Sequence, residues 1–176
     1  MAENGLNTQD LEAQKNEISE YIKKPLKKGD IWYLVDSRWF KQWKKYVGYD
    51  DWDTCNADKE NTHPGPIDNS ALYKEVGSGE LNEYLVEEIG YVLLPQECWD
   101  RLVSWYTLLP SQDPIARNVV EYGMFSKQCK VEVYLMEVKL CQNNDLEHCI
   151  NHKFSRSNTI EHVDNVFGFY FHRTCS

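Results

Sequence analysis

Apolar positions along the 176-residue chain fall into blocks divided by polar, proline-rich and glycine-rich stretches. From Thr8 to Lys23, Leu11, Ile18, Tyr21 and Ile22 form a loose helical stripe. Pro25 stops it, because a residue before proline, here Lys24, is driven out of the α region. Lys27–Asp30 then turns the chain into Ile31–Val35, a β-prone run. Asp36 and Ser37 follow as N-cap residues, whose side-chain oxygens can accept an orphan helix N–H. Trp39, Phe40, Trp43, Tyr46 and Val47 share one helical face, and Gly48 stands where a left-handed C-cap belongs. Arg38, Lys41, Lys44 and Lys45 lie on the other side, so the aromatics read as a core face and the charges as a wet face.

The pattern is lost over 49–80, which is rich in Asp, Asn, Gly and Pro. Leu81, Tyr84, Leu85 and Ile89 restore helical spacing and predict a helix ended by Gly90. Tyr91–Leu94 reads as a short buried strand. Pro95 suits the first position of a further helix, having no N–H to leave unsatisfied. Trp99, Leu102, Val103 and Tyr106 supply its face, giving a predicted core of Trp32, Trp39, Phe40, Trp43, Tyr46, Trp99, Leu102 and Val103. After a loop at 109–114, Ala116–Tyr122 is a strand.

In Lys130–Cys141 the apolar side changes from odd positions (Val131, Val133, Leu135) to even ones (Met136, Val138, Leu140). One regular strand cannot bury both faces selectively, so the expectation is a strand crossing between two packing environments, at a domain junction. A turn at 142–147 leads to Cys149–Phe154 as hairpin partner. Asn158 or Thr159 then caps a helix through Ile160, Val163 and Phe167, cut short by Gly168. The last residues continue none of these patterns, and no internal repeat is found.

Composition narrows the function. The chain is 41% apolar and 27% charged, with a formal net charge of −9. That balance disfavours general nucleic-acid binding, which needs positive surface to displace counterions. Protein partners are expected, with no nucleic acid, no membrane and a monomeric chain. Met1–Asp10 has no apolar core of a secretory signal, and no segment approaches the length of a membrane span. The expected location is cytoplasmic or nuclear, where the cysteines at 55, 98, 129, 141, 149 and 175 should be reduced.

Several stretches offer a chemistry beside a blander reading. His148–Arg156 resembles a cysteine-phosphatase loop, but the position needing Arg is Ser155, and the small residues of an anion nest are missing. His148, Cys149, His152 and His162 form one loose cluster, not the paired clusters of structural zinc. Cys98 lies near a helix start, yet its apolar neighbours favour simple packing. Lys27, Lys28, Arg38, Lys41, Lys44 and Lys45 against Asp30 and Asp36 leave a local excess of +4. It could steer an acidic protein partner, serve a nucleic acid, or be a solvated face. No catalytic residue, metal site or cofactor is assigned. The best local oddity is Pro64, Gly65, Pro66, Ile67, Asp68 and Asn69: two prolines fix φ around a glycine, and Asp68 and Asn69 can form side-chain turns. It reads as a brace pinning a long connection, as a preorganised recognition loop, or as both.

Taken together, 32–48, 64–70, 83–106 and 127–141 resemble the DUSP domain at the N-terminus of ubiquitin-specific proteases, in the subgroup numbered four, eleven and fifteen. The likeness covers about residues 8–164. It implies an α+β fold: a tripod-like three-helix bundle with a small antiparallel sheet over 8–125, followed by an incomplete β-grasp (ubiquitin-like) hairpin and helix over 129–164 and a divergent tail over 165–176. It also implies a non-catalytic interaction module that recruits partners or substrates and regulates deubiquitination. The catalytic Cys and His boxes of those proteases find no match in this chain. The rival readings are a small Cys-dependent hydrolase and a nucleic-acid binder using the basic helix face.

Overall fold

In a computed structural model, residues 8–49 and 62–172 are described, except for the side chains of Thr8, Gln9 and His172. Cys55, Cys175, the start of the polar N-terminus, most of the irregular stretch's first half and the last four residues lie outside that set. Mixed helices and antiparallel strands divide into two units: Met1–Pro25 with Ile31–Arg117, and Leu26–Asp30 with Asn118–Ser176.

In the first unit, helix α1 (Thr8–Ile22) ends before Pro25, as the sequence predicts. Strand β1 (Ile31–Asp36) pairs antiparallel with β2 (Tyr91–Pro95), with Leu34 opposite Leu93 and Asp36 opposite Tyr91. On the other side of β1, the Leu34 amide donates to the Ile115 carbonyl. Helix α2 (Ser37–Val47) starts as β1 ends: the Asp36 carboxylate accepts the Arg38 amide, satisfying an orphan donor. It stops at Gly48, whose left-handed φ of 66° would strain any residue with a Cβ.

Helix α3 (Gln96–Tyr106) follows β2 directly, with Pro95 as its extended N-cap and not its first helical residue. Helix α1 packs on both α2 and α3. Ile18, Val35, Trp39, Phe40, Trp43, Ile67, Leu94, Cys98, Trp99 and Leu102 are among the buried residues of this core. Of the predicted core, Tyr46 and Val103 are half-buried at its margin, and Trp32 is buried outside this cluster.

The helix expected at 81–90 does not form; the segment is a series of turns. Tyr84 and Glu88 take positive φ values of 64° and 69°, which no right-handed helix permits. Tyr84 is 90% exposed and Ile89 73%, while Leu81 and Leu85 are half-buried, so the four do not share one buried face. Helical spacing is realised only when a surface receives the apolar face.

The second unit contains β3 (Ala116–Tyr122) from Asn118 onward and β4 (Gln128–Val131), paired antiparallel with Val119 opposite Val131. The strand predicted over 130–141 is broken: β4 ends at Val131 and β5 begins at Met136. The change of apolar side happens in that break, so no single strand has to bury two faces. Strand β5 (Met136–Gln142) pairs with β6 (Asp145–Phe154), which starts four residues earlier than expected. Helix α4 (Ile160–His172) is capped by Thr159, whose hydroxyl accepts the His162 amide. Gly168 does not end it; glycine lowers helix propensity without forbidding the conformation. Among the described residues, no helix is long and apolar enough to cross a membrane.

Candidate functional site

The segment from Pro64 to Ser70 is anchored to the first unit at three successive points. The Trp39 indole N–H donates to the Gly65 carbonyl at 3.1 Å. Ile67 donates its amide to Thr107 O at 2.8 Å and accepts from the Leu109 amide at 3.1 Å, a bridge beside Leu108. Asn69 is fully buried: its Oδ1 accepts the Asp36 amide at 2.9 Å, and its Nδ2 donates to Leu34 O at 3.2 Å. The side-chain amide therefore satisfies backbone groups where β1 hands over to α2, groups that would be costly to bury unpaired. Gly65 has φ 71°, so its place in the turn uses the conformational freedom of glycine.

These anchors revise the recognition reading. Ile67 has no exposed surface and belongs to the core, so its side chain is not available to fill a partner's pocket. Asn69 is likewise a brace. Pro66 and Asp68 are exposed, and Pro64 and Gly65 are half-buried. The Asp68 carboxylate accepts from the Ser70 amide at 2.9 Å, the Ser70 hydroxyl at 2.5 Å and the Gln112 side-chain amide at 2.9 Å. Burial alone would push its carboxyl up. The Ser70 and Gln112 hydrogen bonds, with the Arg38 charge, outweigh this and hold it below the ordinary carboxylate range. The result is an ionised acceptor, held in place by its neighbours.

Arg38, Lys41, Lys44 and Lys45 do not act as one cluster. Arg38 is salt-bridged to Asp36 at 3.0 Å, and that hydrogen-bonded carboxylate raises its pKa. Lys41 and Lys45 are exposed. Lys44 is half-buried, its ammonium 5.5 Å from the Phe40 ring centroid and 5.0 Å from that of Tyr49. It belongs to the aromatic margin, contrary to the expected wet face, because a lysine stem packs along apolar surface while its charge meets ring faces.

Two contributors escaped the sequence reading. Gln112 reaches the loop from 44 residues away, and His63 accepts the Gly65 amide at its Nδ1 at 3.0 Å. The His63 ring also contacts Tyr46 and Tyr106, at centroid distances of 5.1 and 5.2 Å. Gln112 had no local signal, while His63 stood beside a motif already singled out.

The other candidate chemistries are placed as follows. Cys98 is fully buried, and burial pushes its thiol up to about 12, the reverse of an activated nucleophile. His148 contacts Asp145, His152 lies tilted against Phe154 and edge-on to Tyr170, and His162 meets Phe154 edge-on. Cys149 is bonded to Cys141, so the expectation of six reduced thiols is overturned in this structure. The two lie opposite each other on β5 and β6, close enough to join. The stretch from His148 to Phe154 is β strand, leaving no phosphate-binding loop there.

The DUSP domain family model matches residues 29–121, from the turn before β1 to the penultimate residue of β3. The chain belongs to the DUSP domain family. The braced 64–70 loop thus lies inside the DUSP segment, and β5, β6 and α4 lie beyond it. Across 164 residues, 93% of the chain, identity is 54% to ubiquitin carboxyl-terminal hydrolase 15 of Xenopus tropicalis and of Homo sapiens. Identity to ubiquitin carboxyl-terminal hydrolase 4 of Bos taurus is 50% over 88% of the chain. The match spans only 16% of the length of each of these relatives. The similarity to relatives therefore continues past the DUSP segment into the second unit.

Proposed function

We propose that this chain is a non-catalytic, protein-binding module of a ubiquitin-specific cysteine protease, recruiting partners or substrates and regulating deubiquitination. The observation that carries the reading is the match of nearly the whole chain to a small part of named ubiquitin hydrolases. The buried, high-pKa thiol of Cys98 supports it against the hydrolase reading. The first unit acts as the DUSP tripod, and β5, β6 and α4 as an incomplete ubiquitin-like extension. The partner face is built on Asp68, Pro66 and Arg38, with Lys41 and Lys45 on the neighbouring helix surface. Gly65, Ile67 and Asn69 hold that face rigid, which lowers the entropic cost of binding. A cytoplasmic or nuclear protein partner fits this assignment.

The test uses the whole chain as bait, with bound proteins identified by mass spectrometry, beside a fluorogenic ubiquitin–amide assay. The expected result is capture of a defined protein, lost with Asp68→Lys in a chain that still unfolds cooperatively, and no turnover. Turnover abolished by a single Cys→Ala change would overturn the proposal. Undiminished capture by Asp68→Lys would move the partner face away from the loop.

A further inference from the structure

The geometry points to Cys141 and Cys149 as a redox-sensitive lock on the register of the β5–β6 hairpin. Their Cα atoms are 4.3 Å apart across the ladder, the spacing of a narrow, non-hydrogen-bonded antiparallel pair in which side chains come closest. Residues on the same side of the ladder are Glu137, Lys139, Asn151 and Lys153, all exposed. The opposite side presents Leu140 and Phe154, both buried. The cystine is therefore on the wet face of the hairpin, half-exposed, and outside the apolar packing that supports the strands. A small thiol or disulfide can reach it without the unit unfolding.

Its position along the ladder gives the bond a specific task. From Met136–Phe154 to Cys141–Cys149 the pairing is regular, and at the next step Gln142 pairs with Asp145. Leu146, Glu147 and His148 are thereby looped out of the register on β6. The Asp145 carboxylate holds this bulge by accepting the Glu147 and His148 amides at 3.2 and 3.1 Å. The disulfide fastens the last regular rung before it. A two-stranded hairpin is marginal by itself, and its inner face is only partly covered, with Met136 46% exposed and Val138 and Ile150 half-buried, so few buried side chains specify the register. With the bond formed, the bulge cannot migrate along β6. With it reduced, register depends on the Asp145 turn and on the inner-face side chains Val138, Leu140, Ile150, His152 and Phe154.

The chemistry balances with a small-molecule disulfide as oxidant. One cysteine thiolate attacks it, releasing one small thiol and forming a mixed disulfide. The second cysteine then displaces the other small thiol, and each cysteine loses one proton. The two protein sulfurs are oxidised as the small disulfide is reduced, and a dithiol reverses the reaction.

The test equilibrates the full chain in buffers of defined reduced-to-oxidised glutathione ratio, followed by peptide mapping and hydrogen exchange. In oxidising buffer the map should show a Cys141–Cys149 linkage, and amides of β5 and β6 should exchange at least tenfold more slowly than in the reduced chain. Exchange in β1, β2 and α3 should stay within twofold. The Cys141→Ser, Cys149→Ser double variant should match the reduced chain in every buffer. If that variant does not fold, the oxidised-against-reduced comparison of the unaltered chain decides alone. The proposal is overturned if no glutathione ratio forms the linkage, if these cysteines link elsewhere, or if β5–β6 exchange ignores the bond.

Discussion

Trp43 has no exposed surface and sits among Phe40, Tyr49 and the facing elements of the core. Trp43→Ala should cost about 3–5 kcal/mol, the usual loss for a large buried aromatic, measured by urea unfolding. Lys41→Glu, on the exposed side of the same helix, should change stability by less than about 0.5 kcal/mol. Reversal of these two effects would mean that the helix faces are assigned the wrong way round. The loop separates in the same manner. Ile67→Ala removes fully buried methyl groups and should cost about 2–5 kcal/mol. A Cβ at Gly65 would meet no atom within 4 Å, so Gly65→Ala should pay only the left-handed backbone term of about 1–2 kcal/mol. Loss well above that figure would point to displacement of the Trp39 hydrogen bond.

At the scale of elements, the junction of β1 and α2 depends on one carboxylate. Asp36 caps the helix, pairs with Arg38 and donates its own amide to Asn69 Oδ1. Asp36→Ala should cost about 1–2 kcal/mol through the lost cap. Asp36→Asn should recover most of this, because an amide oxygen caps nearly as well as a carboxylate. Equal loss in both variants would assign the effect to the Arg38 charge pair. In the second unit, Thr159→Ala should cost about 1 kcal/mol. The loss should register as faster exchange in α4, with little change in α2.

For the whole molecule, pH is the lever that reaches both units. Asp68 and Glu97 in the first unit, and Asp145 in the second, have carboxyls held below their ordinary range. For Glu97 the leading cause is its hydrogen bond from Lys24, which ties the end of α1 to the start of α3. For Asp145 it is the His148 amide. A depressed folded pKa means that the unfolded chain binds protons first as pH falls. These contributions are therefore complete above the ordinary carboxylate range and are lost as pH falls through the folded values. The urea midpoint should drop between pH 6 and pH 3, and Asp68→Asn should flatten part of that dependence. A midpoint that rises on acidification would contradict the assignment.

Local chemistry made α1, β1, α2, β2, α3 and β3 legible along the chain. Pro25, Asp36, Gly48 and Pro95 are punctuation that acts on the backbone within a few residues, and the aromatic stripe of α2 needs only its 3.6-residue period. The DUSP resemblance rests on four blocks of sequence: 32–48 and 83–106 carry β1, α2, β2 and α3, and the other two are the 64–70 loop and the β4–β5 stretch. Periodicity could not say whether one core surface would receive Leu81, Tyr84, Leu85 and Ile89 together, and in the fold none does. Nor could it foresee that Ile67, framed by polar punctuation, would be drawn inward by pairing with Thr107 and Leu109. Gln112 beneath Asp68, Asn69 beneath Asp36 and Cys149 opposite Cys141 are relations between residues distant or out of phase in sequence. A sequence states which groups can hydrogen-bond, bury or oxidise. Which group satisfies which is set when the packed backbone brings them within reach, because those interactions act over a few ångströms in space and have no fixed separation along the chain.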